Sequence, residues 1–408
     1  MKHLLAVMVS RVVSPAARAA LAAALVVPFA SAQDLLVQAS RIVIAPDTVL
    51  TDGQLLVRQG KIAYVGSDIP AEARARATVV DYGQAWIVPG FVLASGQLGQ
   101  ERDLAEGSLA FTPDLRAAEA FDPWQEELQA LGTFGITALG LSPSPRNVAA
   151  GLAALVKPGS SRKDAKQGGQ LAAPELQLVL SLTEAARNQE REPTSLMGAK
   201  DLLRQTFTAA GSATQGGPDL AVLRQVLGGT RRVFVHADTF AELSAALDLA
   251  RDFRFEPVLV GAREAEKVLG RLVQQKAGIV LGTLSPEARL QQLRLPGQLA
   301  QAGVPFCFGG RPDQLRLSAV LAVRAGLDRT TALQALTRMP ALLLDQQATI
   351  GSLRQDHAAD FAVFTGDPLD LDARHLGTWV AGVRVHGEAP KPTKPAATPS
   401  STAAAGAR

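Results

Sequence analysis

The chain has one cysteine, five histidines, few aromatic residues (5%) and almost no excess of either charge, with 41 Lys+Arg against 38 Asp+Glu. Each shortage excludes something. A single cysteine, Cys307, rules out an internal disulfide. It lies in VPFCFGG between two phenylalanines, the setting of a buried apolar thiol rather than a nucleophile. The near balance of charge is closer still once the first 32 residues are set aside. They hold Lys2, Arg11 and Arg18 and no acids, leaving 38 basic against 38 acidic residues. A balanced chain gives no case for nucleic acid or anionic lipid as a partner.

Long hydrophobic runs are also missing. The leading apolar run, AALAAALVVPFA, is short and broken by Pro28, so it does not favour a stable membrane span. It follows the three basic residues and precedes Ala30-Ser31-Ala32, a small-residue cleavage site. Residues 1–32 are therefore read as a signal peptide cleaved after Ala32, and the remainder as exported, periplasmic or secreted. No cysteine stands at that site, which argues against a lipid anchor.

What is present falls into three rhythms. Residues 33–85 contain short strand patterns, LLVQASRIVI, QLLVRQGKIAYVGS and TVVDYGQAWIV, separated by Pro46-Asp47, Asp52-Gly53 and Gln59-Gly60. From 86 to 344, apolar runs alternate with helical patterns: IVPGFVLA, GITALGL, LAALVK, LQLVLSL, RRVFVHAD, EPVLVGA, GIVLGTL and VPFCFGG. Eight strands with helices between the later ones imply βαβ units and a parallel sheet. The clearest helix is TFAELSAALDLARDF, with Phe240, Leu243, Leu247 and Ala250 on one face and a Thr239-x-x-Glu242 capping box. Residues 345–388 return to strand character and are expected to rejoin the first segment. Residues 389–408 are rich in Pro, Ala, Thr, Ser and Lys, with too little apolar surface to offset ordering, and are read as a disordered tail.

These stretches, in this order, resemble the amidohydrolase superfamily, and within it exported imidazolonepropionase-like amidohydrolases. The resemblance is carried by IVPGFV, PSPRNVAAGLAALVKPGS, PTSLMGAKDLLRQTF, VFVHAD, AGLDRTTALQALTRMPALLL and IGSLRQDHAADFAVFTGDPLD, and runs from about Leu35 to Glu388. It implies an α/β fold: a TIM-type (β/α)8 barrel inserted in a small β-sandwich formed by the N- and C-terminal segments. It also implies one or two divalent metals at the C-terminal ends of the barrel strands. There a metal acidifies a bound water, with about three protein ligands and one open position.

The positions at which the family places its ligands read differently here. Strand one should supply His-x-His after the Pro-Gly turn, where this chain has Ser95, Gly96 and Gln97, with Leu93 in place of a preceding Asp. Strand five supplies His236. Strand six offers Gly261. Strand eight, which should supply an Asp, presents Gly310 and Arg311, with Asp313 two residues too late. Glu184 aligns with a bridging carboxylate of strand four. His3 lies in the leader, and His357, His375 and His386 lie in the sandwich segments.

The resulting expectation is a degenerate amidohydrolase with its metal site lost, and no cofactor is expected. The function that follows is non-catalytic binding of a small molecule, or of an active paralogue or a second copy of the chain. The alternative is an active hydrolase of amide or other C–N bonds with an atypical site, in which case zinc or another divalent metal would return. His236 is either a pocket-lining acid/base or a relic. Asp238 either orients His236 or, the preferred reading, helps start the next helix. Glu184 is preferred as a solvated loop carboxylate. Gly309-Gly310-Arg311 is either an anion cradle or, the preferred reading, a turn. Ser95 lacks the elbow and the carboxylate orienter that a nucleophile needs.

Overall fold

The computed structural model describes residues 34–160, 166–187, 191–212, 216–388 and 390. The expected signal peptide over 1–32 and, Pro390 apart, the expected tail over 389–408 lie outside them.

The N-terminal strands are β1 (Leu35–Ala45), β2 (Thr48–Arg58), β3 (Lys61–Gly66), β4 (Thr78–Asp81) and β5 (Trp86–Pro89). β1 to β3 form an antiparallel meander, and β4 and β5 lie parallel to β1 on its other side. The chain then passes through Gly90 into β6 (Phe91–Gly96). The apolar run IVPGFVLA, which reads as one strand, is thus shared between two sheets, β5 pairing with β16 and β6 with β7. Glycine is required at the crossing, because a Cβ on Gly90 would lie 2.1 Å from the Thr137 hydroxyl.

β6 pairs in parallel with β7 (Ile136–Leu141). The next segment holds β8 (Ala149–Leu152) and β9 (Ala154–Lys157), interrupted only by Ala153. β9 runs antiparallel to β7, and β8 antiparallel to the later strand β11. This departs from an all-parallel arrangement at the third position, and the reason is local. A parallel return needs a crossover of about a dozen residues or more, and Ser142–Val148 is too short for one. β10 (Gln170–Ala173) hairpins onto β9. β11 (Leu178–Ser181), β12 (Val233–Ala237), β13 (Pro257–Gly261), β14 (Gly278–Leu281) and β15 (Phe306–Phe308) are parallel neighbours in that order. Helices connect them, among them Phe240–Phe253 with both halves of its capping box formed, as the sequence indicates.

Every one of the eight expected strand positions therefore carries a strand. With the third position split into β8 and β9, and with β10 added, they form a four-stranded sheet, β10-β9-β7-β6, and a six-stranded sheet, β15-β14-β13-β12-β11-β8. Among the described residues no ladder joins β15 to β6, and the helix Arg338–Leu343 packs against both. Because β7 and β11 are both antiparallel to the same 149–157 segment, they point the same way, and the C-terminal ends of all the parallel strands gather on one side. Alternate side chains from the two sheets meet in one cluster: Val92, Ala138, Val179, Phe234, Val258, Val280 and Cys307, with Leu343, Leu344 and Ile350. The intervening residues face a second, larger core that includes the connecting helices.

The chain closes with β16 (Phe361–Phe364), β17 (His375–Val380) and β18 (Val383–Gly387). β16 pairs antiparallel with β5, so both chain ends share one eight-stranded sheet. A buried ion pair links this sheet to the other: Lys157 Nζ, at the end of β9, lies 2.6 Å from Asp360 Oδ2, with the side chains 9% and 3% exposed. The second oxygen, Oδ1, accepts a hydrogen bond from the Ala381 amide at 2.8 Å. These groups lie at the opposite end of the strands from the candidate site.

Candidate functional site

Main-chain hydrogen bonds tie the strand ends together in sequence around the site. Ser142 N–H donates to Gly96 O (2.9 Å), Ser181 N–H to Val148 O (3.0 Å) and Leu182 N–H to His236 O (2.9 Å). Ser181 is the register partner of His236. On β12, Phe234 faces the cluster shared by both sheets, and His236, two residues on, shares that face.

His236 is held neutral. Burial lowers its pKa from 6.5 to about 4, and no carboxylate opposes that shift. Its Nε2 is buried without a hydrogen-bond partner, although the residue as a whole keeps some exposure. Asp238 does not orient it. Its carboxylate instead lies 3.4 Å from Arg263 Nε and close over Gly261, where a Cβ would meet Asp238 Oδ1 at 2.4 Å. That contact and a φ of 92° explain glycine at 261. The Asp238 and Thr239 amides donate to Glu242 Oε2 at 2.9 and 3.1 Å, so Asp238 belongs to the start of the following helix. It lines a separate polar cavity of about 580 Å³ with Arg263, Glu264, Lys267 and Arg289.

Of the other sequence-derived candidates, Gln97, Gly310 and Arg311 are brought together. They line a cavity of about 640 Å³ with Leu93, Leu98, Phe134, Glu101, Glu127 and Asp313. Gln97 Nε2 is buried with no partner. Gly310 has φ 82° and sits so close to Thr283 that a Cβ would fall 2.1 Å from its hydroxyl. The Arg311 amide donates to Thr283 Oγ1 at 2.8 Å, and the exposed guanidinium forks onto Asp313 at 3.1 and 2.7 Å. A local carboxylate thus neutralises the cation, as in a turn rather than an anion cradle. Ser95 is half-buried at the end of β6, and among the described residues no hydrogen bond joins it to His236. Glu184 is exposed on the turn Glu184–Ala186.

Two further residues had no distinguishing signal in the sequence. Asn147, just before β8, is 2% exposed and donates from Nδ2 to Thr112 Oγ1 at 3.3 Å. Its Oδ1 accepts from Arg191 Nη2 at 2.9 Å, and the same nitrogen donates to Arg146 O at 2.8 Å. Arg191 Nε and Nη1 are buried without partners. Arg191 sits in the charge-rich RNQERE, which reads as a solvated loop.

The donor set does not fit a divalent metal. Among the described residues there is no group of three or more His, Cys, Asp or Glu side chains able to hold one. Amide and guanidinium N–H groups donate hydrogen bonds and cannot ligate. Cys307 is fully buried, with its thiol pKa pushed up by burial, and is inert. No helix of the described residues is long and apolar enough to cross a membrane.

Solved structures share this α/β architecture. Over 87% of this chain and 100% of its own, the amidohydrolase from Thermotoga maritima MSB8 superposes with a TM-score of 0.76 at 22% identity. A. niger ochratoxinase superposes over 87% of this chain and 96% of its own, with a TM-score of 0.53 at 17% identity. Residues 308–386 match the family model described as Amidohydrolase family. The amidohydrolase tasK of Hapsidospora irregularis is 22% identical over 394 residues. That match covers 81% of this chain, which spans 39% of the length of that relative. The family likeness is thus carried by residues 308–386, and the fold as a whole is similar to that of the named amidohydrolase.

Proposed function

We propose that this protein is a non-catalytic member of the amidohydrolase superfamily that binds a small molecule at the strand ends. In this reading the two α/β sheets are parts of one eight-position barrel, with its third strand reversed, inserted between the halves of the composite N- and C-terminal β unit. The side-chain cluster drawn from both sheets supports that arrangement. The observation that carries the functional reading is the donor set: one neutral imidazole, no carboxylate aimed at it, and Ser95, Gln97, Gly261 and Gly310 at the other strand ends. Binding of an active paralogue, or of a second copy of this chain, is the variant in which the partner rather than a small ligand occupies the site. Export through cleavage after Ala32 completes the proposal and is checked by the N-terminal sequence of the secreted product.

The relatives named above are amidohydrolases and an ochratoxinase, so an active C–N hydrolase is the second reading to be tested. Purified chain is exchanged through metal-free buffer, with and without prior zinc or manganese, and its metal is measured by mass spectrometry. The same samples are assayed against dipeptides and cyclic amides. The expected result is no retained metal and no turnover. Near-stoichiometric metal together with hydrolysis that H236A abolishes would overturn the proposal in favour of the hydrolase.

A further inference from the structure

The cavity between the end of β6 and the residues that follow β15 stands at the seam where, among the described residues, no ladder joins those strands. Its volume of about 640 Å³ is that of a small-molecule site. Leu93, Leu98, Ala130, Phe134 and Pro312 supply an apolar lining, and Phe134 keeps 36% of its surface exposed. The charged lining is one-sided. It comprises three carboxylates, Glu101, Glu127 and Asp313, and one cation, Arg311. Arg311 is committed to Asp313, with Nη2 2.7 Å from Oδ2, so the surplus resides on Glu101 and Glu127. The backbone gathers these two. Leu98 and Gly99 are successive left-handed residues, with φ 49° and 72°. The Gly99 amide donates to Glu101 Oε1 at 3.3 Å, and a Cβ at Gly99 would lie 2.7 Å from Glu127 Oε1. Glycine at 99 thus admits the Glu127 carboxylate beside that of Glu101.

We infer that this cavity binds a small organic cation, an ammonium group carried on an apolar body. Burial of the body against the leucine and phenylalanine lining supplies most of the affinity, and the two carboxylates select the charge. A neutral molecule of the same shape gains the burial alone. An anion of that shape meets the surplus negative charge and is disfavoured. Glu101 and Glu127 are exposed, so each contributes a modest factor of about two- to fivefold, less at high salt. The inference deepens the ligand-binding reading and rests on it. The two are separable, since retained metal with hydrolysis overturns that reading, while the preference among ligand charges decides this one.

The test is calorimetric titration of the full chain, at neutral pH and low ionic strength, with naphthylmethylamine, its uncharged counterpart naphthylmethanol, and naphthoate. The protonated amine is expected to bind saturably and about tenfold more tightly than the alcohol, with naphthoate weakest. E101Q/E127Q should weaken the amine about tenfold and leave the alcohol unchanged, which abolishes the preference. F134A should weaken amine and alcohol alike. E256Q, which removes an exposed carboxylate just before β13 and outside the cavity, should change neither. If E101Q/E127Q misfolds by circular dichroism, E127Q alone should weaken the amine about two- to fivefold. No saturable binding of the amine, or binding of the alcohol or naphthoate as tight as that of the amine, would overturn the inference. So would undiminished amine binding in F134A or in a folded E101Q/E127Q or E127Q, or an equal loss in E256Q.

Discussion

Replacing Lys157 by methionine removes the cation that faces Asp360 across the junction of the two sheets. In the native chain the two side chains are 9% and 3% exposed and their charged atoms lie 2.6 Å apart. After the change, the Asp360 carboxylate keeps a single donor, the Ala381 amide at 2.8 Å. Breaking one side of such a pair costs about 3–5 kcal/mol, because the remaining charge is left buried and uncompensated. Against a typical stability of about 5–15 kcal/mol that is a large fraction. Replacing both partners by apolar residues removes the orphan charge as well, so K157M/D360L should recover most of the loss. The assay is urea unfolding followed by tryptophan fluorescence and circular dichroism, with midpoint and slope fitted for each variant. The reasoning is refuted if K157M loses less than about 1 kcal/mol, or if the double variant is no more stable than K157M.

Gly90→Ala should destabilise by about 1–3 kcal/mol, as overpacking does, because its Cβ would fall 2.1 Å from the Thr137 hydroxyl. Combining it with Thr137→Ala should restore part of the melting temperature. His236 and His375 are both held near pKa 4, below their ordinary 6.5, chiefly by burial. The unfolded chain therefore binds more protons between those values, so stability falls as pH drops from about 6.5 towards 4. Each histidine contributes at most about 3 kcal/mol to that fall. H236Q should flatten the dependence of the unfolding midpoint on pH within that window, and an unchanged slope would contradict the assignment. Arg311→Ala should leave the melting temperature within error, since the guanidinium is exposed and its ion pair is screened.

Much of the fold was legible because strand position is written in apolar runs. All eight runs between residues 86 and 344 became strands, and Thr239 and Glu242 formed the expected capping box. Direction and sheet membership were less legible. LAALVK is apolar whichever way it runs, and only the short Ser142–Val148 connection reveals its reversal. IVPGFVLA is uniformly buried, so nothing in its hydropathy marks the change of sheet at Gly90. At the site, His236 was legible because a strand end fixes its neighbourhood. Asp238 and Arg311 resolved into local partners, Arg263 and Asp313, through side-chain geometry that spacing alone leaves open. Arg191 was invisible because a half-buried arginine and a solvated one read alike inside RNQERE. Only its contact with Asn147, far away in the chain, sets it apart.

The shared sheet makes the chain's first segment wait for its last. β5 is emitted early, but its antiparallel neighbour β16 pairs Phe361 with Pro89, after both α/β sheets have been made. Until then β5 presents an unpaired, buried-type edge able to template association with another chain. Contacts so distant in sequence also form slowly. A product stopped anywhere before Phe361 would keep that edge permanently open and would also lack Asp360 to meet Lys157. A chain lacking its final strands is therefore expected to associate through that edge, which the aggregation of a chain truncated before Phe361 would check.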